Sequence, residues 1–307
     1  MNWHWIAALA LILQPVNTLQ DTITIEHKGE TIGQLNRTDM TLPGTVLVNP
    51  ELFERLQAKI ERQVYEAPQN AYIGDHGQVL PDQIGYKLNR LMFAEQFYEH
   101  FFENGMQTVD VPLSKLYAKI DAELIAHLRD RLIGSYVTYY NANNRNRSHN
   151  IALSAKAINN QVFLPGETFS FNRVVGQRTL EKGYMQAPVI VRGELSEGIG
   201  GGICQVSSTL FNAADRAGLV IVKRYSHSRN VPYVLPGRDA TVSWDGPDFA
   251  FQNQYNQPIL IKAFAGGGRV FVSIYSSDVI EYKQRVVPSM AKRLPEEIAI
   301  ETGGNAE

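Results

Sequence analysis

The segment that most restricts the fold is GIGGGICQVSSTLFNAADRAG at 198–218, where glycines run directly into a helical pattern. Val206, Leu210 and Phe211 fall on one apolar face, which predicts a helix that begins beside Cys204. Cys204 is the only cysteine in 307 residues, so the chain forms no internal disulfide. A chain of this length without such a bond depends on its hydrophobic cores, and we expect about two domains.

Composition and the N-terminus restrict the possible partners. Charged residues make up 20% of the chain and the net charge is −2, which argues against a nucleic-acid partner. The apolar run Trp5–Leu13 has the length of a signal-peptide core, so we predict a signal peptide or N-terminal anchor at residues 1–20. A buried first helix is the alternative. We expect an extracytoplasmic protein whose membrane contact is limited to that segment.

Residues 21–134 are predicted to form a mixed α/β domain. The segment DTITIEHKGE alternates at the period of a strand and turns at Lys28-Gly29. Asn49 is placed to cap a helix in NPELFERLQAKIERQV, RLMFAEQFYEHFF predicts a second helix, and DAELIAHLRDRLIG predicts a third that ends at Gly134.

The second half is predicted to be α+β and rich in antiparallel strands, with the glycine-led helix among them. An Asn-rich stretch at 135–149 is typical of a solvated connector. Residues 150–276 then form the second domain, in which DATVSW is expected to be a strand and AGGG the turn of a hairpin. Residues 277–307 are assigned to a tail.

The glycine-rich segment does not fit a nucleotide-binding motif. Ile203 stands where the last glycine of G-x-G-x-x-G would fall, and no Gly-Lys-Ser/Thr follows. No H-E-x-x-H or C-x-x-C occurs, so we predict neither a metal site nor a cofactor.

The chemistry that fits is that of a thiol at a helix start. Backbone amides and the helix dipole favour the thiolate form of Cys204, and His227 and Asp239 follow in the order of nucleophile, base and orienting acid. The alternative is a purely structural site, in which Cys204 packs, the glycines permit close packing, and His227 and Asp239 bond to the backbone.

Several neighbours are candidate binding residues. The turn Gly200, Gly201 and Gly202, with Gln205, is expected to hold an oxyanion. Ser207 is included, although a hydroxyl inside a helix also tends to bond to a carbonyl of the preceding turn. In a binding module without chemistry, carboxylates would be gripped by four arginines, namely Arg173, Arg178, Arg229 and Arg238.

The second half closely resembles the VanW family of bacterial envelope proteins. The resemblance is carried by PGETFSFN, GGGICQVSSTL and GRDATV, within about Asn150 to Tyr275. The preceding region, from GQVLPDQIGYKLN to LIGSYVTYYN, looks like the peptidoglycan-binding domain that often accompanies it. The resemblance implies an extracytoplasmic, wall-associated protein with a link to glycopeptide resistance, and peptidoglycan or its stem peptides as partner.

Two functions follow as expectations. One is Cys-dependent acyl transfer or amide hydrolysis on stem peptides by Cys204, His227 and Asp239. The other is a non-catalytic wall-peptide-binding module or envelope scaffold.

Overall fold

The computed structural model describes residues 21–74, 76–103, 105–191 and 194–290. The chain divides into two compact units, the first formed by residues 21–71 and 82–119 and the second by 72–81 and 120–290. Both contain helices and strands, which confirms the predicted α+β class. The predicted signal peptide lies outside the described residues.

The described elements are six α-helices, sixteen strands and a 3-10 helix at Arg37–Met40. The helices are α1 Pro50–Val64, α2 Arg90–Phe101, α3 Ala122–His127, α4 Arg145–Ile158, α5 Phe171–Val175 and α6 Ile203–Arg216. The strands are β1 Thr22–His27, β2 Glu30–Asn36, β3 Tyr72–Ile73, β4 Val79–Leu80, β5 Gly85–Leu88, β6 Gln107–Asp110, β7 Leu113–Leu116, β8 Arg131–Tyr139, β9 Gln161–Phe163, β10 Thr168–Ser170, β11 Gln186–Val191, β12 Glu194–Ile199, β13 Val220–Lys223, β14 Ala250–Gln252, β15 Ile259–Gly266 and β16 Arg269–Ser276.

The first unit packs α1 and α2 around a core of phenylalanines beside the sheet β2-β1-β6. Strands β1 and β2 are antiparallel, whereas β1 and β6 are parallel. As predicted, Asn49 caps α1, and its Oδ1 accepts the amide of Glu51 at 3.0 Å. The Phe97 ring, which is fully buried, lies 4.8 Å from Phe53 and 5.5 Å from Phe101 between centroids.

The second unit is built on the antiparallel sheet β8-β16-β15-β9. The helix α6 packs on this sheet against β8 and β16, and most of its side chains are buried. A smaller sheet, β10-β14-β13, and the hairpins β11–β12 and β3–β4 also belong to this unit. The predicted hairpin 258–276 is confirmed, with its turn at Gly267-Gly268.

The prediction that residues 135–149 form a solvated connector is wrong. Most of it is the edge strand β8, which pairs with β16, and the first residues of α4. Tyr136, Thr138 and Tyr140 alternate towards the core and are almost fully buried. This period-two pattern of β-branched and aromatic residues outweighs the Asn-rich stretch that follows it.

The predicted third helix is shorter than expected. Helix α3 ends at His127, and Gly134 lies inside β8 rather than at a helix end. A Cβ at Gly134 would stand 2.5 Å from the Ala213 carbonyl oxygen of α6. Gly134 is therefore required by the close approach of helix to strand.

The predicted strand DATVSW is an irregular segment. Its backbone amides do not pair with a neighbouring strand. The Ser208 hydroxyl accepts a hydrogen bond from the Ala240 amide at 2.9 Å, and Tyr225 O accepts one from the Thr241 amide at 2.8 Å. Residues 277–290, assigned to the tail, lie against the core, where Ile280 and Val287 are buried. Among the described residues, no helix has both the length and the apolarity needed to cross a membrane.

Candidate active site

The glycine turn places Cys204 at the second position of α6. The helix is preceded by Gly202, whose φ of +106° is readily adopted only by glycine. A Cβ at Gly201 would lie 2.5 Å from the Ala187 carbonyl oxygen of β11. The glycines thus let the helix start pass close to the β11–β12 hairpin, as the structural alternative anticipates.

Asn150 of α4 holds this turn in place. Its Nδ2 donates to Gly201 O at 3.0 Å and to Met185 O at 2.9 Å, and its Oδ1 accepts the Met185 amide at 2.8 Å. The side chain is fully buried, so these bonds are protected from competition with water. A lone Asn inside a helical pattern carries no sequence signal for such a role.

His227 and Asp239 meet as the sequence predicts. His227 Nδ1 lies 2.6 Å from Asp239 Oδ2, and the same oxygen accepts the His227 amide at 2.6 Å. Both side chains are buried, being 5% and 8% exposed. The carboxylate therefore fixes the ring orientation and leaves Nε2 as the ring nitrogen for the thiol. Asp239 sits in a loop and not at the start of a strand.

The thiol of Cys204 is half-buried and lies in the field of the imidazole. Its Sγ is 3.5 Å from Val242 O and 3.8 Å from Thr241 Oγ1. Burial on its own would raise the pKa of the thiol, but hydrogen bonding and charge from His227 outweigh it and hold that pKa below its ordinary value.

The pKa of the His227 imidazole is shifted in the opposite direction, upwards. Burial would lower the pKa of His227, but hydrogen bonds to Asp239 and Cys204 raise it to about 9. Burial also opposes ionisation of Asp239, and its bonds to His227 nevertheless keep its pKa low. A thiolate beside an imidazolium, with the carboxylate behind it, is the arrangement that these shifts favour.

Two expected binding residues have structural roles instead. Gln205 is fully buried, with its amide nitrogen bonded at 3.0 Å to both Thr138 Oγ1 and Tyr139 O, and its Oε1 accepts from Arg147 at 2.8 Å. Ser207 is also fully buried and donates to Cys204 O and Ala240 O. Neither side chain is available to hold an oxyanion, because Gln205 is bonded to β8 and the Ser207 hydroxyl is bonded to backbone carbonyl oxygens.

Two of the four candidate arginines, Arg238 and Arg229, lie in different surroundings. Arg238 is bonded to α6 through Asn212 Oδ1 at 2.8 Å and Asp215 Oδ2 at 2.7 Å, and its guanidinium lies 4.7 Å from the Phe211 ring centroid. These contacts fix the loop before Asp239 to α6, so the Arg238 guanidinium is engaged within the protein instead of binding a ligand carboxylate as expected. Arg229 is exposed, two residues after His227.

A further arginine, which the sequence does not single out, supports the loop that carries Asp239. Arg224 Nε donates to Asp239 O at 2.7 Å, and its guanidinium lies 4.6 Å from the Phe211 ring centroid. Within the described part of the chain, no group of His, Cys, Asp and Glu side chains is arranged to hold a metal ion.

Comparison with known proteins identifies the family. The family model described as VanW like protein matches residues 146–275, a range that contains Cys204, His227 and Asp239. YoaR of Bacillus subtilis (strain 168) is 55% identical over 298 residues, covering 96% of this chain and 98% of that protein. The vancomycin B-type resistance protein VanW of Enterococcus faecalis (strain ATCC 700802 / V583) is 34% identical over 113 residues, 35% of this chain and 41% of that protein. No solved structure gave a significant match. The chain belongs to the VanW family.

Proposed function

We propose that the protein is a cysteine-dependent acyl-transfer enzyme of the bacterial cell envelope that cleaves or exchanges amide bonds in peptidoglycan stem peptides. The observation that carries the proposal is that His227 is bonded through Nδ1 to Asp239 and interacts through hydrogen bonding and charge with the Cys204 thiol at the start of α6. An orienting carboxylate, a base and an activated nucleophile are the parts that acyl transfer needs.

The reaction proceeds in two halves. The Cys204 thiolate attacks the amide carbonyl carbon, a C–S bond forms, and the C–N bond breaks as the His227 imidazolium gives its proton to the leaving amine. Water or a second amine then attacks the thioester, and His227 takes the proton of that nucleophile. The product leaves as a carboxylic acid or a new amide, and the thiolate–imidazolium pair is restored.

The substrate class rests on the family. The resemblance to VanW proteins implies a wall-associated, extracytoplasmic protein, and the name of the enterococcal relative connects that relative to vancomycin resistance. Stem peptides offer amide bonds at a location that an exported protein reaches. We extend the wall association to this chain as part of the proposal.

Purified sacculi provide the test. We expect the wild-type protein to change the muropeptide profile, read by mass spectrometry, and Cys204→Ser to leave it unchanged, because a hydroxyl at that position does not ionise near neutral pH. Cys204→Ser keeps the size and packing of the side chain, which makes it the matched control for folding. Unchanged muropeptides with the wild-type protein would contradict the proposal.

The alternative is a wall-peptide-binding module without turnover. The observation in its favour is that the sulfur already has two neighbours, Val242 and Thr241, and so has a packing role. In that case, wild-type protein and Cys204→Ser would sediment equally with sacculi, and neither would alter the muropeptides. Loss of both binding and turnover would remove both functions.

A further inference from the structure

A second cationic side chain, Arg178, interacts with the thiol and has no hydrogen-bond partner for its terminal nitrogens among the described residues. Arg178 follows α5, and both of its terminal nitrogens, Nη1 and Nη2, are fully buried without a hydrogen-bond partner in the described part of the chain. Buried guanidinium nitrogens are normally bonded, because desolvating five donors of a fixed cation is costly. An unpaired guanidinium of this kind is a site prepared for an anion.

Two contacts, with the glycine turn and with Cys204, place Arg178 at the candidate active site, and a third restricts its guanidinium. The Arg178 Cβ would lie 3.2 Å from a Cβ built at Gly200, so the side chain leaves the backbone beside the glycine turn. Its guanidinium carbon is 5.7 Å from the Phe171 ring centroid, which limits the directions it can take. Its charge interacts with that of the Cys204 sulfur.

The acidic side chain that interacts with Arg178, Asp248, does not form a hydrogen bond with it. Tyr184 and Asp248 both interact with Arg178 through charge and not through a hydrogen bond. The carboxylate of Asp248 is bonded instead to Ser170 Oγ at 2.6 Å and to the amides of Asn172 and Phe249 at 2.9 and 2.8 Å. The donors of Arg178 therefore remain available for a ligand.

We infer that Arg178 binds a carboxylate of the substrate next to the carbonyl that Cys204 attacks. The substrate class is then a peptide that carries a free carboxylate close to the scissile amide, such as one cleaved at its last peptide bond. The planar guanidinium fork matches the two oxygens of a carboxylate, which a lysine does not. This inference rests on the proposed function.

Two alkylating reagents test it without a known substrate. Both iodoacetate and iodoacetamide transfer a two-carbon group to the thiolate and release iodide, but only iodoacetate carries a carboxylate. Because both rates contain the same thiolate fraction, the ratio of the two rates cancels any change in the pKa of Cys204. Cys204 is the only cysteine, so labelling measured by mass spectrometry reports on this site alone.

We expect Arg178→Gln to lower the ratio of iodoacetate to iodoacetamide rates by about tenfold or more, as loss of a charged hydrogen bond does. Arg178→Lys should keep part of the preference. In wild-type protein, the iodoacetate rate should saturate, and acetate should slow it competitively. The matched control is Arg131→Gln, which removes an exposed arginine at the far end of β8. Arg131 lies about 23 Å along the strand from Thr138, which is bonded to Gln205, the residue after Cys204.

The outcomes separate this inference from the proposed function. An equal ratio in wild type and Arg178→Gln, or no protection by acetate in wild type, would overturn the anion site while leaving the reactive thiol in place. If iodoacetamide instead labels Cys204 no faster at neutral pH than it labels an ordinary thiol, the proposed thiolate fails. The acetate experiment needs no variant, so a poorly folded Arg178→Gln leaves the inference testable.

Discussion

At the scale of single residues, the thiol and the imidazole shift each other's protonation in opposite directions. The pKa of His227 is raised above its ordinary 6.5 to about 9, whereas that of Cys204 lies below its ordinary 9.0. The raised pKa of His227 adds to the free energy of unfolding. This contribution is complete below pH 6.5 and is lost as the pH rises through about 9. The cysteine contributes stability that is present above its unfolded pKa and lost as the pH falls. In the wild-type protein these two dependences oppose each other between neutral and alkaline pH.

Removing the thiol should therefore expose the dependence due to the histidine. In Cys204→Ala, His227 keeps its bond to Asp239, which favours the imidazolium, so we expect the free energy of unfolding to fall as the pH rises above 6.5. Urea unfolding at several pH values from 6 to 10 measures this slope. The control is the double variant Cys204→Ala/His227→Gln, in which other titrating groups are unchanged. Parallel curves for the two variants would show that His227 is not held as an imidazolium.

The residues of the site differ in how visible they are in the sequence. The order of Cys204, His227 and Asp239 was predictable because a thiol at a helix start, a histidine and an acid suit one another chemically. The role of Gln205 was predicted wrongly because its proximity to the thiol in sequence was taken as proximity in function, whereas its direction on the helix points it into the sheet. Arg178 is 26 positions before Cys204, and only the fold shows that it lacks a partner.

At the scale of elements, the position of the thiol depends on how closely α6 approaches β8. That approach is possible because Gly134 has no side chain, since a Cβ there would stand 2.5 Å from Ala213 O and 2.7 Å from Ala217 N. Both obstacles are backbone atoms, which cannot rotate away as a side chain can. The helix and the strand must separate to admit even one methyl group.

We expect Gly134→Ala to lower the free energy of unfolding by about 1–3 kcal/mol or more, through overpacking at this contact. Thermal or urea unfolding measures the change. Gly33→Ala is the control, because a Cβ at that strand position would meet only the Ile25 side chain, at an ordinary 3.6 Å from Cδ1 and 3.7 Å from Cβ. Equal stability of both variants would mean that α6 and β8 are less tightly packed than described.

Elements with local signals were predictable, and those that depend on distant partners were not. The Asn49-Pro50 start of α1 and the glycine turn of the β15–β16 hairpin are encoded in a few adjacent residues. Residues 240–243 have a strand-like composition, yet their backbone groups bond to hydroxyls of α6 and to Tyr225. No local pattern records that competition.

At the scale of the whole molecule, the chain passes between its two units three times, at 71/72, 81/82 and 119/120. The hairpin β3–β4 belongs to the second unit, where Asn160 Nδ2 donates to Ile73 O at 3.1 Å and Arg129 donates to Gly77 O at 3.1 Å. A single cut in the chain therefore cannot release either unit intact. Each unit nevertheless has its own hydrophobic core.

Separate cores predict separate responses to mutation. Phe97→Ala removes a fully buried ring from the first unit and should lower its free energy of unfolding by about 3–5 kcal/mol. The iodoacetamide rate at Cys204 should stay at the wild-type value, because the second core is untouched. Calorimetry and labelling of the same sample measure both quantities. Phe102→Ala, which truncates a ring that is 59% exposed, is the control, and faster labelling in Phe97→Ala would reveal that the cores unfold together.

The buried polar face of α6 has one more consequence. Gln205, Ser208, Thr209 and Asn212 each have their hydrogen bonds satisfied at one register only. Moving the helix along its axis by one turn, about 5.4 Å, would leave all four buried side chains without their hydrogen-bond partners and out of reach of water. A helix with a purely apolar face could shift along its sheet at little cost. The polar contacts of α6 allow one position only, so the Cys204 sulfur is held in place before any ligand binds.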